Sequence, residues 1–363
     1  MLSGGQLERL ARKTLLLAGE VADVTEFRSA ADDLVKRTVG WDFAIWSTVD
    51  PTTFLFTNCR LLGIQAEPEN ERRFFELELA GDDVNLFTDL ALDDCPARSL
   101  HLATEGDPDR SRRFRELLRP AGCGDELRAV FLDGHAAWGA LVACRPPSSP
   151  RFSEAESAAV AKLGPALARG LRRCLLRTAA EAPHRLADGP GLLLLADDGR
   201  VLETTPMAER WMSLLGDSSG WQTAVQAVAG KVKADGGSVT LPLRTPSGRW
   251  IALHGSATAG GSLAVIVEEA RSFQLTNMIT DLYGLTPRER ALAELVLQGR
   301  STKEISRTLE ISPYTVQDHL KSVFDKLGVR SRRELVAMFF NGHYVERRRA
   351  GSMPGPYGWY LDD

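Results

Sequence analysis

Cysteine is scarce and scattered. Cys59, Cys95, Cys123, Cys144 and Cys174 form no C-x-x-C pair, and the six histidines are not spaced as metal ligands, so no metal site or disulfide framework is expected. An odd number of thiols without a signal sequence fits small buried hydrophobes in a reducing cytoplasm. No apolar run approaches the roughly 20 residues of a membrane span. The opening MLSGGQLERLARKTLLLAGE has no secretory apolar core and reads as an amphipathic helix with Leu7, Leu10, Thr14 and Leu17 on one side. The expected location is therefore cytoplasmic, away from membranes. Catalytic signatures are missing too: there is no G-x-S-x-G, P-loop, G-x-G-x-x-G or metal-spaced His/Glu set. Neither an enzyme nor a bound cofactor is expected. Positive charge is also in short supply, with a net charge of −4. Its distribution matters more. Gly284 to Ala350 carries 13 Lys and Arg against 8 Asp and Glu, a net +5 that leaves −9 on the rest. A basic terminal module on an acidic body fits one DNA-contacting domain joined to something that does not contact DNA.

What the chain does have is 363 residues, 44% of them apolar and 25% charged, enough for two or three soluble domains. The most informative stretch is LTPRERALAELVLQGRSTKEISRTLEISPYTVQDHLKSVFDKLGVRSRRELVAMFF, Leu285 to Phe340. Its local chemistry punctuates four helices. Thr286 caps the first, with Pro287 at N1 and Glu289 at N3; Ser301 and Glu304 open the second; Ser312 and Pro313 open the third; Ser331 and Glu334 open the fourth. Gly299 and Gly328 fall where left-handed residues would end the first and third. A turn around Glu310 and Ile311 separates the second and third, as in a helix-turn-helix. Along the third, Val316, Leu320, Val323, Phe324 and Leu327 form one apolar stripe. The other side carries Tyr314, Gln317, Asp318 and Lys321. An amide suits adenine, a carboxylate can accept from a cytosine amine, and an ammonium suits guanine or phosphate.

These motifs, from LTPRE through KEIS to ISPYTVQDHLKSVFDKLGVRSRRELV, resemble a LuxR-type helix-turn-helix domain. The resemblance implies double-stranded DNA as partner, with Gln317, Asp318 and Lys321 at base-reading positions and Tyr314 on the same face. It places Lys303, Thr315, His319 and Arg330 at or near backbone-contacting ones, and Arg332, at the start of the fourth helix, is a further DNA-binding candidate. It also implies dimer contact through the fourth helix, and Asp318 departs from the neutral or basic residue of many relatives.

The body is read as multidomain α+β. Residues 1–20 form an N-terminal helix. Residues 21–178 run helix, strand pair, helical crossover, strand pair, long helix, with DELRAVFLDGHAAWGALVAC as a hairpin. The strand with GALV, then RFSEAE and a long helix, resembles the end of a GAF domain. Such α/β sensors enclose a small-molecule pocket, so an effector is an implied partner. Trp41, Phe43, Trp46, Phe54, Phe56, Phe75, His101 and Trp138 are its candidate lining. Phe74 and Phe87 are further candidates by position. Gly164-Pro165 is expected to break the long helix. Beyond it, Leu167, Leu171 and Cys174 form a short seam that could pair protomers or pack on its own domain. Residues 179–189 read as a linker. Residues 190–270, opening with LLLLADDGRVLETTPMAERWM, resemble a PAS domain with a small helical middle. A connecting helix (271–283), the helix-turn-helix domain (284–346) and a flexible Gly/Pro-rich tail (347–363) complete the chain.

The expected function is a one-component, homodimeric regulator of transcription. The alternative is a response regulator or relay protein controlled by phosphorylation or partner binding. Asp32-Asp33, Asp82-Asp83 and Asp93-Asp94 do not follow a hydrophobic strand as a phosphoacceptor site requires, and are read as loop or cap residues.

Overall fold

Turn chemistry and strand alternation build two five-stranded antiparallel sheets, and the capped stretch at the C-terminal end builds a separate helical cluster. The computed structural model describes residues 4–65, 67–180, 189–215, 218–246, 249–270, 276–336 and 338–339. Described residues up to Glu269 form one compact unit, and those from Ala270 a second.

In the first unit, α1 (Gly4–Glu20) and α2 (Val24–Val39) precede β1 (Phe43–Val49) and β2 (Phe56–Leu62). Then come α3 (Pro68–Ala80), the short α4 (Phe87–Leu90), β3 (Ala97–Ser99) and the short α5 (Leu100–Ala103). The hairpin β4 (Asp125–Asp133) and β5 (Ala136–Arg145) leads into α6 (Glu154–Ala180). The strand order is β2-β1-β5-β4-β3. The same order returns as β7-β6-β10-β9-β8 in the second sheet. It is built from β6 (Gly191–Leu195), β7 (Val201–Thr204), α7 (Pro206–Ser213), α8 (Ser218–Asp235), β8 (Val239–Arg244), β9 (Trp250–Ala257) and β10 (Leu263–Glu269).

Several segments differ from the sequence expectation. The second strand begins at Phe56 rather than Phe54, because Phe54 sits in a left-handed turn (φ 61°). Asp82 to Leu90 is helical only from Phe87. Asn85 is left-handed (φ 56°), and Asp83 is committed to capping the 111–114 turn, where its Oδ2 accepts from Ser111 Oγ (3.0 Å) and Arg113 N (2.7 Å). That turn winds into a five-residue π-helix, Phe114–Leu118. The long helix α6 does not break at Pro165. Its flanks hold it: a Cβ at Gly164 would sit 3.5 Å from the Val130 carbonyl, one at Gly170 would strike the Phe27 ring of α2, and Cys174 lies against the Ala18 carbonyl of α1 (3.9 Å). Leu167, Leu171 and Cys174 are accordingly buried within the chain.

The helical middle of the second half is larger than expected, because α8 runs 18 residues. It packs on α3 and β2 of the first half as well as on β9. Thr223 hydrogen-bonds Glu71, and a Cβ at Gly230 would come 2.5 Å from Leu79 Cδ1. The aromatic side chains around β2 and the apolar residues of the second half accordingly belong to one continuous core.

The second unit comprises α9 (Thr276–Leu282), α10 (Pro287–Leu297), α11 (Thr302–Thr308), α12 (Pro313–Leu327) and a further helical turn at 332–336. Leu285, Leu292, Val296, Ile305, Val316, Leu320, Val323, Leu327, Leu335 and Phe339 form its core. Most of the linker at 179–189, the start of the connecting helix and the tail at 347–363 lie outside the described residues. No described helix is long and apolar enough to cross a membrane.

Candidate nucleic-acid interface

The helix-turn-helix is set by reciprocal caps. Thr286 Oγ1 accepts from Glu289 N while Glu289 returns the bond to Thr286 N, and Ser301 and Glu304 repeat the exchange. The turn before α12 is drawn tight by Ser306 Oγ donating to the Ile311 carbonyl (2.5 Å), with Glu310 left-handed at φ 54°. Ser312 Oγ accepts from Thr315 N (3.0 Å), and Gly328 closes α12 at φ 68°.

Glu289 does more than cap. It is 4% exposed, and its carboxylate accepts from Lys326 Nζ (2.6 Å), Ser322 Oγ (2.6 Å) and Thr286 N (2.7 Å). Lys326 also donates to the Gly284 carbonyl (3.2 Å). Burial opposes the charge, but the hydrogen bonds from Lys326, Ser322 and Thr286 outweigh it and hold the Glu289 carboxyl at about 2. One residue thus fastens the start of α10 to the C-terminal half of α12. The sequence signals only its capping role, because Lys326 lies 37 residues away.

With Val316, Leu320, Val323 and Leu327 buried, the opposite face of α12 is left to solvent. Tyr314 (78% exposed), Gln317, Asp318 and Lys321 share it, one turn after another. Gln317 Nε2 rests on Thr302 Oγ1 (3.3 Å), which fixes the amide beside the start of α11. Lys303 and Arg330 are exposed nearby, while Thr315 and His319 are half-buried at the flanks. Arg332 is partly engaged by the protein, donating to the Arg300 carbonyl (2.8 Å) and to Thr302 Oγ1 (3.2 Å). It therefore braces the surface as well as adding charge to it.

The pocket candidates separate into two groups. Paired residues of an antiparallel sheet share a face. Phe43 pairs with Cys144, and Cys144 with Glu126; Ile45 pairs with Val142, and Val142 with Arg128. On this face the structure gathers Phe43, Phe54, Phe56 and Phe75 together with Phe74 and Phe87. Phe56 lies 5.9, 5.7 and 5.4 Å from Phe74, Phe75 and Phe87. The other candidates lie elsewhere. Trp46 packs beneath the helices, its Nε1 donating to Asp32 Oδ1 (2.7 Å), and Trp41 Nε1 reaches the same oxygen (3.1 Å). Trp138 is buried at the β4–β5 bulge outside the aromatic cluster, and His101 donates its backbone N–H to Asp125 (3.0 Å).

Beside the aromatic cluster lies a buried ionic network that sequence reading missed. Arg128 donates to Glu78 (2.6 Å) and Glu126 (3.1 Å), and Arg113 to Glu126 (2.8 Å). The Arg128 guanidinium stacks 4.4 Å over Phe87. Burial works against the Glu126 charge, yet Arg113 and Arg128 hold its carboxyl below the ordinary range.

The helical geometry has a counterpart among known proteins. The profile described as bacterial regulatory proteins, luxR family, matches residues 284–339. The spore germination protein GerE of Bacillus subtilis is 46% identical over 52 residues, 14% of this chain and 70% of GerE. The chain belongs to the luxR family. An HTH-type transcriptional regulator of Mycobacterium tuberculosis is 52% identical over 52 residues, but the matched stretch spans only 6% of that relative's length. A crystal structure of the phage VqmA–DPO complex aligns with 44% of this chain and 85% of its own, at 17% identity and a TM-score of 0.25, a likeness too slight to bear on architecture. The luxR match encloses Lys303, Tyr314, Thr315, Gln317, Asp318, His319, Lys321, Arg330 and Arg332.

Proposed function

We propose that this luxR-family chain is a one-component transcription regulator whose α12 lies in the major groove of operator DNA. The observation that carries the reading is the division of α12. Its apolar stripe is consumed by the core, while an aromatic ring, an amide, a carboxylate and an ammonium remain exposed on one face. Gln317, Asp318 and Lys321 read base edges, and Tyr314, Thr315, His319, Lys303, Arg330 and Arg332 position the helix on the backbone. Two copies bound as a homodimer place their recognition helices one DNA turn apart.

The first α/β half acts as a GAF-like sensor and the second as a PAS-like module, both in the cytoplasm. The repeated strand order and the face lined by Phe43, Phe54, Phe56 and Phe75 support that assignment. A small effector would act there by favouring one arrangement of the DNA-binding heads. Binding, not catalysis, is the activity. The test is site selection from a random duplex library with the full chain. Lys321→Ala should weaken binding to the selected site by about 1–3 kcal/mol, and Gln317→Ala should also change the preferred base at one position. Selection and affinity unchanged in both variants would remove α12 from the reading role.

A further inference from the structure

Asp318 is anomalous on a surface meant for a polyanion. It sits at the centre of the exposed α12 face, flanked by Gln317 and one turn from Tyr314 and Lys321. A structural role would explain it, but its carboxylate enters no ion pair among the described residues. Among the described residues, the ion pairs of this unit are Arg290–Asp281, Arg300–Glu304 and Lys326–Glu289, and the Asp318 carboxylate is held by none of these cations. Stabilisation of the helix dipole fades beyond the first turn. With Ser312 as cap, Asp318 lies past that turn. The neighbouring amide of Gln317 is held by Thr302, whereas the carboxylate is presented to whatever approaches the helix.

We propose that Asp318 is a specificity-determining residue that demands a cytosine amine in the operator and penalises DNA that lacks one. This rests on α12 reading the major groove. There the amine of cytosine is the donor a carboxylate accepts from. At a site with cytosine in reach, the hydrogen bond offsets the repulsion from nearby phosphates. Where guanine or thymine stands instead, the carboxylate is desolvated against acceptors and phosphate charge, and adenine sets its N7 acceptor beside its amine, so non-cognate complexes weaken more than the cognate one. Selectivity then comes from rejection as much as from attraction.

The experiment uses full-length wild-type protein, Asp318→Asn and Asp318→Ala. Each is taken through random-duplex selection, followed by affinity measurements on the selected duplex, on single-base variants of it and on a random-sequence duplex at fixed salt. Asp318 is exposed, so both variants should fold, as circular dichroism will confirm. Wild type should require cytosine at one position of each half-site, losing about 5- to 150-fold when it is replaced. Asp318→Ala should lose that requirement and bind the random duplex several-fold more tightly. Asp318→Asn should shift the preference at that position toward adenine, which an amide pairs with in bidentate fashion. Variants that select the wild-type consensus with the same base preferences and the same random-duplex affinity would overturn the role of Asp318 while leaving α12 as the reader. A wild-type protein that selects no sequence would overturn both.

Discussion

Replacing Glu289 by Gln tests the internal logic of the DNA-binding unit. In the folded state the carboxyl is held at about 2, against an ordinary value of 4.5. That depression corresponds to about 3 kcal/mol of stability at neutral pH. The sign follows from the direction of the shift. A group whose folded value is depressed contributes fully above its unfolded value and loses its contribution as pH falls toward the folded one. Stability should therefore begin to drop near pH 4.5, with about 2 kcal/mol gone by pH 3. Glutamine keeps the shape and can still accept one bond, but it cannot carry the charge that Lys326 neutralises. The assay is urea unfolding of a fragment spanning residues 270–363, followed by far-UV circular dichroism from pH 7 to pH 2.5. Its core is self-contained, so the fragment is an adequate host. Wild type should lose stability through this window faster than Glu289→Gln, and the two curves should converge at the acid end. Other carboxylates titrate in both proteins and cancel in the difference. Parallel curves would refute the argument, showing that the bonds from Lys326, Ser322 and Thr286 do not stabilise the ionised form.

Two further substitutions probe other features. Glu310→Gly removes a left-handed non-glycine residue from the turn before α12, at φ 54°. Relief of about 1–2 kcal/mol of backbone strain, less about 0.5–1 kcal/mol for glycine's extra chain entropy, should leave the fragment slightly more stable to urea with DNA affinity unchanged. Arg128→Ala strips the buried carboxylates Glu126 and Glu78 of one cation. Since Arg113 still pairs with Glu126, the cost should be about 3 kcal/mol, at the lower end for a broken buried pair. Urea unfolding of the full chain, followed by tryptophan fluorescence, checks it, because Trp46 and Trp138 lie in the same sheet.

Features written in neighbouring residues were legible. The caps at Thr286, Ser301 and Ser312, the DG turns of both hairpins and the apolar stripe of α12 depend on partners three to eleven positions apart, and each stands as expected. Features that depend on distant partners were not. Alternation shows that Trp46 and Phe43 point to opposite faces of β1, but not which face meets helices; Asp32, 14 residues away, holds Trp46 on the helical side. Glu126 and Arg128 alternate as surface residues would, and only the arrival of Glu78, Arg113 and Phe87 makes them buried. The helix α8 was invisible because Ala, Val and Gly fill both its sides, giving little amphipathic contrast. Pro165 misled in the other direction: a helix held along its flanks tolerates one lost hydrogen bond.

The position of α8 bears on how an effector would be sensed. β2 is the edge of the first sheet, with an unpaired flank that normally needs cover. Here α8 of the second half packs along β2. It also meets α3, through Glu71 with Thr223 and the close approach of Gly230 to Leu79, while Arg72 of α3 reaches Asp198 of the β6–β7 turn (3.8 Å). The same α3 that carries Glu71 and Arg72 also carries Phe74 and Phe75 of the aromatic cluster. On the proposed sensor reading, a molecule entering among these rings would press on α3, which packs directly on α8. On that reading the two halves would respond as one body, with occupancy of the first felt by the second where α3 and β2 meet α8. Cutting the chain at the linker would uncover both β2 and the apolar face of α8, so an effector screen belongs on residues 1–270 rather than on the first half alone.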